Sequence, residues 1–479
     1  MTDNRPATPP PTARTGAVRV MGLDLREDAD VPRRRIFAWA LWDWATQPFN
    51  TVLLTFVWVP LFLTTDFFLD PAVVAAADRD AEGNILGCDG SNSLSAYCTD
   101  LGSLAVQLGW GITAAGVLIA LLAPVLGQRA DAAGRTKLSL AVFTGLLVLA
   151  QLGMFFVSAT PDMFWMGVVL IAMGSVFGEI AGVSYNALLV SVSTPRTVGK
   201  VSGLGWGFGY LGGIIALIVI VALNLAGVLD FDNGFSFQLI ALGGAVWTII
   251  FSIPILKAVP EPEKVGGIKK VNFFMGYVEL GRSIARLWRD ARHTFWFLLA
   301  SAVYRDGLSA VFTFGAVIAA QVFGFKFIEL VLFGIVLNLV AGVSTILAGR
   351  LDDRFGPKPV ILVAIGGLVV CCLTVFIGAG LGNLLFWVAG IVLAAFVGPA
   401  QAASRSFLAR VTPAGHEGEV FGLYATTGRA TGWMASLLWG VFIAAAANQT
   451  LYGILGIALV LAVGFVLLCF VRPPARVES

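Results

Sequence analysis

The feature that most constrains this chain is a series of twelve predominantly apolar stretches, starting near Phe37, Leu101, Leu138, Asp162, Val201 and Phe235 and again near Phe295, Phe327, Pro359, Gly382, Val420 and Leu451. A hydrocarbon layer is crossed by roughly 20 apolar residues in a helix. Lipid offers the backbone no hydrogen-bond partner, so such stretches satisfy their peptide groups internally. Composition leaves them no other home: of 479 residues, 58% are hydrophobic and 13% charged, against about 25% charged in soluble domains. We therefore expect an all-α polytopic membrane protein, its twelve transmembrane helices forming two pseudo-symmetric six-helix bundles.

The charges report orientation. With a cytoplasmic N-terminus, one side of the membrane receives Arg33, Arg34 and Arg35, then Arg129, Arg135 and Lys137, Arg196 and Lys200, a basic central linker, Arg350, Arg354 and Lys358, Arg410, Arg472 and Arg476. The other side holds only Arg79 and Lys326, beside an acidic first loop with Asp66, Asp70, Asp78, Asp80, Glu82, Asp89 and Asp100. The positive-inside rule then places both termini in the cytoplasm, as an even number of spans requires, in a cell (inner or plasma) membrane. The expected organisation is a disordered cytoplasmic tail over 1–33, a bundle over 34–258, a cytoplasmic linker over 259–293, a second bundle over 294–472 and a tail over 473–479. No cleavable signal peptide is expected, because no apolar core precedes Ile36.

In the linker, Phe274, Val278, Ile284, Leu287 and Trp288 fall near one helical face, with Arg282, Arg286 and Arg289 on another. That pattern fits an amphipathic helix lying on the cytoplasmic leaflet, with a solvated charged linker as the alternative. Cys88 and Cys98 share one polar loop. An oxidising compartment would permit a disulfide between them, but sequence gives no distance, so the pairing stays open. Cys371, Cys372 and Cys469 lie in apolar runs, where a thiol behaves as a small hydrophobe.

An internal repeat follows from register. Gly127, Asp131 and Gly134 recur 222 positions later as Gly349, Asp353 and Gly356, each set accompanied by basic residues, Arg135 in the first copy and Arg354 in the second. Gly203, Gly209 and Gly213 recur 219 positions later as Gly422, Gly428 and Gly432. Two registers agreeing within three residues point to duplication, the plan of transporters built from parallel repeats. The glycines of the series Gly205, Gly209, Gly213 and of Gly428 and Gly432 are spaced for close helix packing.

Six ionisable side chains fall inside the spans: Asp43, Glu179, Arg305, Asp306, Arg405 and Arg429. At a lipid-facing helix centre each costs roughly 2.5–3.5 kcal/mol on insertion scales, so they are expected to face the bundle interior. Asp43, Gln47 and Asn50 share one helical face, as do Asp306 with Ser309 and Thr313, Glu179 with Asn186, and Tyr424 with Thr427 and Thr431, and these faces are expected to line a central cavity. Two readings remain. Three acids and three bases can pair to fix helix packing; alternatively Asp43 or Asp306 first, then Glu179, binds a coupling proton while Arg305, Arg405 and Arg429 offer forks to an anionic substrate group. Gln47, Asn50, Asn186 and Tyr424 are the remaining candidates for the cavity wall.

No enzyme signature, Walker loop or metal-ligand spacing is present; His293 and His416 are isolated from each other. We expect no cofactor, no metal and no nucleic-acid partner, but a small-molecule substrate, protons and the lipid bilayer, with the chain acting as a monomer.

The loops around Asp131 and Asp353 resemble the signature loop of the major facilitator superfamily, whose Asp and Arg help latch the inner side closed. Its antiporter motif carries Gly-Pro where Tyr210 follows Gly209 here, so the direction of transport is not set by it. Further segments resemble the vacuole-effluxer-like branch: Ala40-Leu-Trp-Asp43-Trp44-Ala45, Tyr185-Asn186, Gly209-Tyr210-Leu-Gly-Gly213, Tyr304-Arg-Asp306-Gly307, Gln401-Ala-Ala-Ser404-Arg405 and Phe421-Gly422-Leu-Tyr424. The chain departs from that pattern in carrying Arg305 in place of a neutral polar residue. The resemblance implies export of small molecules, amino acids in the fungal members; with the buried acids it leads us to expect a secondary active transporter working by alternating access, exporting amino acids or similar small metabolites with proton coupling. A non-transporting membrane sensor or lipid-binding protein that kept the fold is the alternative.

Overall fold

The computed structural model describes residues 17–20, 23–26, 31–79, 83, 85–88, 92–194, 197–261, 273–411 and 417–471. The first half consists of α1 (Arg33–Gln47), the short α2 (Pro71–Ala75), α3 (Ala96–Ala133), α4 (Thr136–Met154), α5 (Phe164–Ala187), α6 (Val198–Leu225) and α7 (Gly234–Ala258). After the amphipathic α8 (Phe273–Asp290) come α9 (Arg292–Gln321), α10 (Phe327–Phe355), α11 (Pro357–Ile377), α12 (Asn383–Val411), α13 (Glu417–Ala430), α14 (Met434–Ala445) and α15 (Gly453–Phe470).

Among the described residues, eleven helical stretches are long and apolar enough to cross a membrane. The remaining crossing, eleventh in chain order, is the pair α13 and α14, broken at 431–433. The first crossing also departs from a plain α-helix: beyond Gln47 it continues as π-helical turns over Pro48–Phe56 and Val59–Leu63. Each proline lies in the first turn of its π segment, where a missing N–H costs least.

The helices sort into two packed groups. In one, α1 packs against α6 and α7, and α4 and α5 pack together and against α3 and α7; in the other, α9 packs on α13 and α15, and α12 on α10 and α11. The tightest seam between groups runs along α3 and α14. A Cβ on Gly102 would overlap the Asn448 carbonyl, one on Gly109 would lie 2.9 Å from the Trp439 ring, and one on Gly116 2.7 Å from the Gly432 carbonyl. These glycines recur every seven residues along α3, so one face lets the backbones approach.

In the turns between α3 and α4 and between α10 and α11, Gly134 (φ +60°) and Gly356 (φ +84°) take the left-handed backbone that glycine adopts without strain. The side chains of Asp131 and Asp353 lie outside the described ones, as do the surroundings of Gly127 and Gly349; Arg135 and Arg354 are exposed. Within the stretch expected to be a disordered tail, Ala17–Val20 (β1) and Leu23–Arg26 (β2) instead pair as an antiparallel ribbon. The ribbon abuts α13, which gives its valines and leucines a neighbour. In α8, Leu287 is buried and Ile284 half-buried, while Val278 and Trp288 are exposed beside Arg282, Arg286 and Arg289. Cys88 and Cys98 are joined by a disulfide, which settles the pairing left open by sequence.

Candidate functional site

Helices α1, α5 and α6 surround a cavity of about 310 Å³ whose wall includes Asp43, Gln47, Asn50, Glu179, Asn186 and Trp206, with Arg429 reaching in from α13. A neighbouring hollow of about 160 Å³ shares Gln47 and Trp206 and is bounded by Tyr210 and by Asn338 of α10. Asp43, Gln47 and Asn50 therefore converge as the one-face reading requires, even though the helix loosens at Pro48 between them.

The glycine series of α6 seats the side chains of this wall. A Cβ on Gly209 would lie 3.2 Å from the Asp43 carboxyl and 3.1 Å from the Gln47 amide nitrogen. On Gly205 it would meet the Trp39 ring and the Tyr185 hydroxyl at 2.7 Å, and on Gly213 the Thr51 hydroxyl at 2.6 Å. Opposite this face, Tyr185 is stacked between Trp39 and Trp42, with ring centroids 4.4 and 4.6 Å apart. The indoles are pinned: Trp39 Nε1 donates to the Tyr185 carbonyl at 3.0 Å and Trp42 Nε1 to Thr144 Oγ1 at 3.0 Å. The Tyr185 hydroxyl is buried and, among the described residues, has no hydrogen-bond partner.

Of the six charges, four lie at or beside the cavity, in three environments. Asp43 is half-buried, and its carboxylate makes no ion pair or hydrogen bond with the described residues. Glu179 and Arg429 pair across the two halves, Oε2 to Nε 3.1 Å, with the glutamate half-exposed to the cavity. Arg405 of α12 also crosses between halves and lays its guanidinium 5.2 Å from the centre of the Trp206 ring.

Arg305 and Asp306 are not on the cavity wall. The Arg305 guanidinium donates to the Tyr424 carbonyl at 3.0 Å, lies 4.1 Å from the centre of that residue's ring, and occupies the space left by Gly428. Asp306 is buried and accepts the backbone N–H of Ala435 at 2.7 Å, and that of Met434. It thereby caps the start of α14, where unsatisfied N–H groups and the helix dipole favour a carboxylate. The acids on the first crossing of each half thus play different parts. Asp43 stands free against an unbroken α6, whereas Asp306 holds the break in the eleventh crossing, the counterpart of α6.

On the side carrying the disulfide loop, the halves are tied together. The buried Gln321 side chain, at the end of α9, donates to the carbonyls of Thr64 at 2.6 Å and Leu101 at 3.3 Å, and accepts from Thr450 Oγ1 at 2.7 Å. Its own carbonyl accepts the Cys88 N–H at 3.0 Å. Phe231 and Phe327 stack across the same seam with centroids 3.7 Å apart. The cavity lies on the terminus side of this seal, where Asn186 is exposed.

Sequence reasoning did not single out Trp39, Trp42, Tyr185 and Trp206 as cavity wall, nor Gln321 as a tie. A glutamine at the end of an apolar run was the available signal for the tie, and clustered tryptophans at one end of the first span for the wall.

The vacuole effluxer Atg22-like family model matches residues 31–475. An uncharacterized MFS-type transporter, YxiO of Bacillus subtilis (strain 168), is 29% identical over 442 residues, 91% of this chain and 94% of the relative. Among solved structures, the inward-open xylose transporter XylE of E. coli superposes with a TM-score of 0.60 at 13% identity, covering 93% of this chain and 97% of that one. The nucleoside transporter NupG gives a TM-score of 0.58 at 14% identity, over 92% and 100%.

Proposed function

This chain belongs to the vacuole effluxer Atg22-like family and is an MFS-type transporter rather than an enzyme, and from that premise we propose that it exports amino acids or similar small metabolites by alternating access, coupled to protons. The observation that carries this reading is the Asp43 carboxylate, on a cavity wall between two halves and without a cation among the described residues. Ion pairing alone would have consumed it. A carboxylate so placed can take a proton from one side and yield it to the other as the halves rock about the cavity.

Asp306 and Glu179 are the other proton candidates. Protonation of Asp306 would free the α14 N-terminus, and protonation of Glu179 would release Arg429, so each gives a proton a mechanical consequence. In this reading both termini are cytoplasmic, the disulfide loop faces the other side of a cell membrane, and the unit is a monomer.

The test is transport by the purified chain in liposomes, against a panel of amino acids and organic ions, with and without a pH gradient. Gradient-accelerated movement of any member is expected. Movement of none, under either polarity, would favour a non-transporting sensor or lipid-binding protein.

A further inference from the structure

Resting on the carrier reading above, we infer that the cavity selects a solute of net positive charge carrying an ammonium group, and that this group and a proton compete for one carboxylate, Asp43. The groups that face the cavity decide the charge it lacks. From α5 come Tyr185 and Glu179, from α6 the neighbouring Tyr210 and from α13 Arg429, while Arg405 of α12 lies on the Trp206 ring; α7 brings no ionisable side chain to the wall. Glu179 and Arg429 neutralise each other at 3.1 Å, and Arg405 rests on the Trp206 face. A substrate carboxylate would have to break an existing contact to reach a guanidinium. An ammonium finds an unpaired carboxylate waiting.

Two further observations point to the same ligand. The Trp206 ring receives the Arg405 guanidinium at 5.2 Å, so an indole of this wall already serves as a partner for a cation. Beside Asp43, the buried Tyr185 hydroxyl has no partner among the described residues, which leaves its oxygen lone pairs uncommitted next to that carboxylate.

Competition at one carboxylate produces exchange without further machinery. The ammonium leaves Asp43 on the far side, the bare carboxylate takes one proton there, and the protonated carrier returns and releases it. One cation moves out for each proton in, so the cycle is electroneutral. Exchange of a zwitterion for a proton would carry net charge.

The full chain in detergent would be titrated with three ligands on one skeleton: phenethylamine, phenylalanine and 3-phenylpropionate. Phenethylamine is expected to bind at least about tenfold more tightly than the others, and its affinity to rise about tenfold per pH unit while the carboxyl is mostly protonated. Asp43→Asn should weaken binding at least about tenfold and remove the pH dependence, and Asp43→Glu should restore both in part. In liposomes, permanently charged N,N,N-trimethylphenethylammonium replaces the amine, which leaks as its free base. A pH gradient should drive its exit, and a potassium–valinomycin potential should not.

Tighter binding of phenylalanine or 3-phenylpropionate, binding of none of the three, or pH-independent amine binding by the unaltered chain would each overturn the inference. The last applies even where Asp43→Asn fails to fold. Flux of phenylalanine alone would overturn it while sparing the carrier reading. Amine binding at Asp43 without flux of any probe would do the reverse.

Discussion

Replacing Gln321 by leucine removes the polar tie on the disulfide-loop side while keeping its volume, and its consequence is calculable. Of the three side-chain bonds, that to Thr450 lies within the second half and persists in any rigid-body motion; those to the Thr64 and Leu101 carbonyls cross between halves. Each crossing bond contributes about 1 kcal/mol net, and an acceptor left buried without a partner costs about 1–3 kcal/mol. Taking the long 3.3 Å bond to Leu101 as the weaker, the loss to the sealed state is about 2–3 kcal/mol. That shifts the balance toward opening on this side by about 30- to 150-fold. The Cys88 N–H bond to the Gln321 carbonyl and the Phe231–Phe327 stack remain, so the shift stays partial.

The assay is a spin-label distance between Val228→Cys and Leu384→Cys, exposed positions on this side in opposite halves, with Cys371, Cys372 and Cys469 replaced. The variant should show a new population at longer distance. An unchanged distribution would refute the claim that Gln321 holds the halves closed.

Other perturbations have defined outcomes. Asp43→Asn should abolish transport driven by a pH gradient while leaving the melting temperature within a few degrees of the parent, read by reconstitution and a detergent melt. Gly464→Ala would place a Cβ 2.8 Å from the Tyr304 backbone nitrogen and should cost about 1–3 kcal/mol by overpacking. Gly243→Ala, with nothing within 4 Å, should instead be neutral or gain about 0.5–1 kcal/mol; equal melting temperatures for the two would count against the close-approach account. Glu179→Gln should change stability by under about 1 kcal/mol, since the pair is partly exposed, yet alter transport rate. Without reductant, a maleimide should modify at most the three thiols of Cys371, Cys372 and Cys469, and at most five residues after reduction.

The crossings were legible because hydropathy and basic residues are local properties that need no knowledge of neighbours. The repeat registers around Gly134 and Gly356 were legible for the same reason, and both glycines turn the chain with positive φ. The break in the eleventh crossing was not. It depends on Asp306, more than a hundred residues earlier, supplying the cap at Met434 and Ala435, a pairing no local pattern encodes. Arg305 and Asp306, adjacent in sequence, point to different partners because successive helical positions differ by about 100°, so a shared role could not be read from their proximity. The π-helical turns that begin at Pro48 likewise have no local sign beyond the proline itself. Asp43 and Gln47 precede Pro48 on the regular part of α1, and Asn50, within the π-helical turns, lines the same cavity.

The central claim is that one cavity is reached alternately from the two sides of the membrane. Asn50 lies on its wall and is exposed, so Asn50→Cys, with the three free thiols replaced, reports access through modification by a membrane-impermeant maleimide. We expect labelling from the terminus side in the parent chain, and from the disulfide-loop side once Gln321→Leu is added. Labelling from a single side in both backgrounds, or from neither, would contradict alternating access.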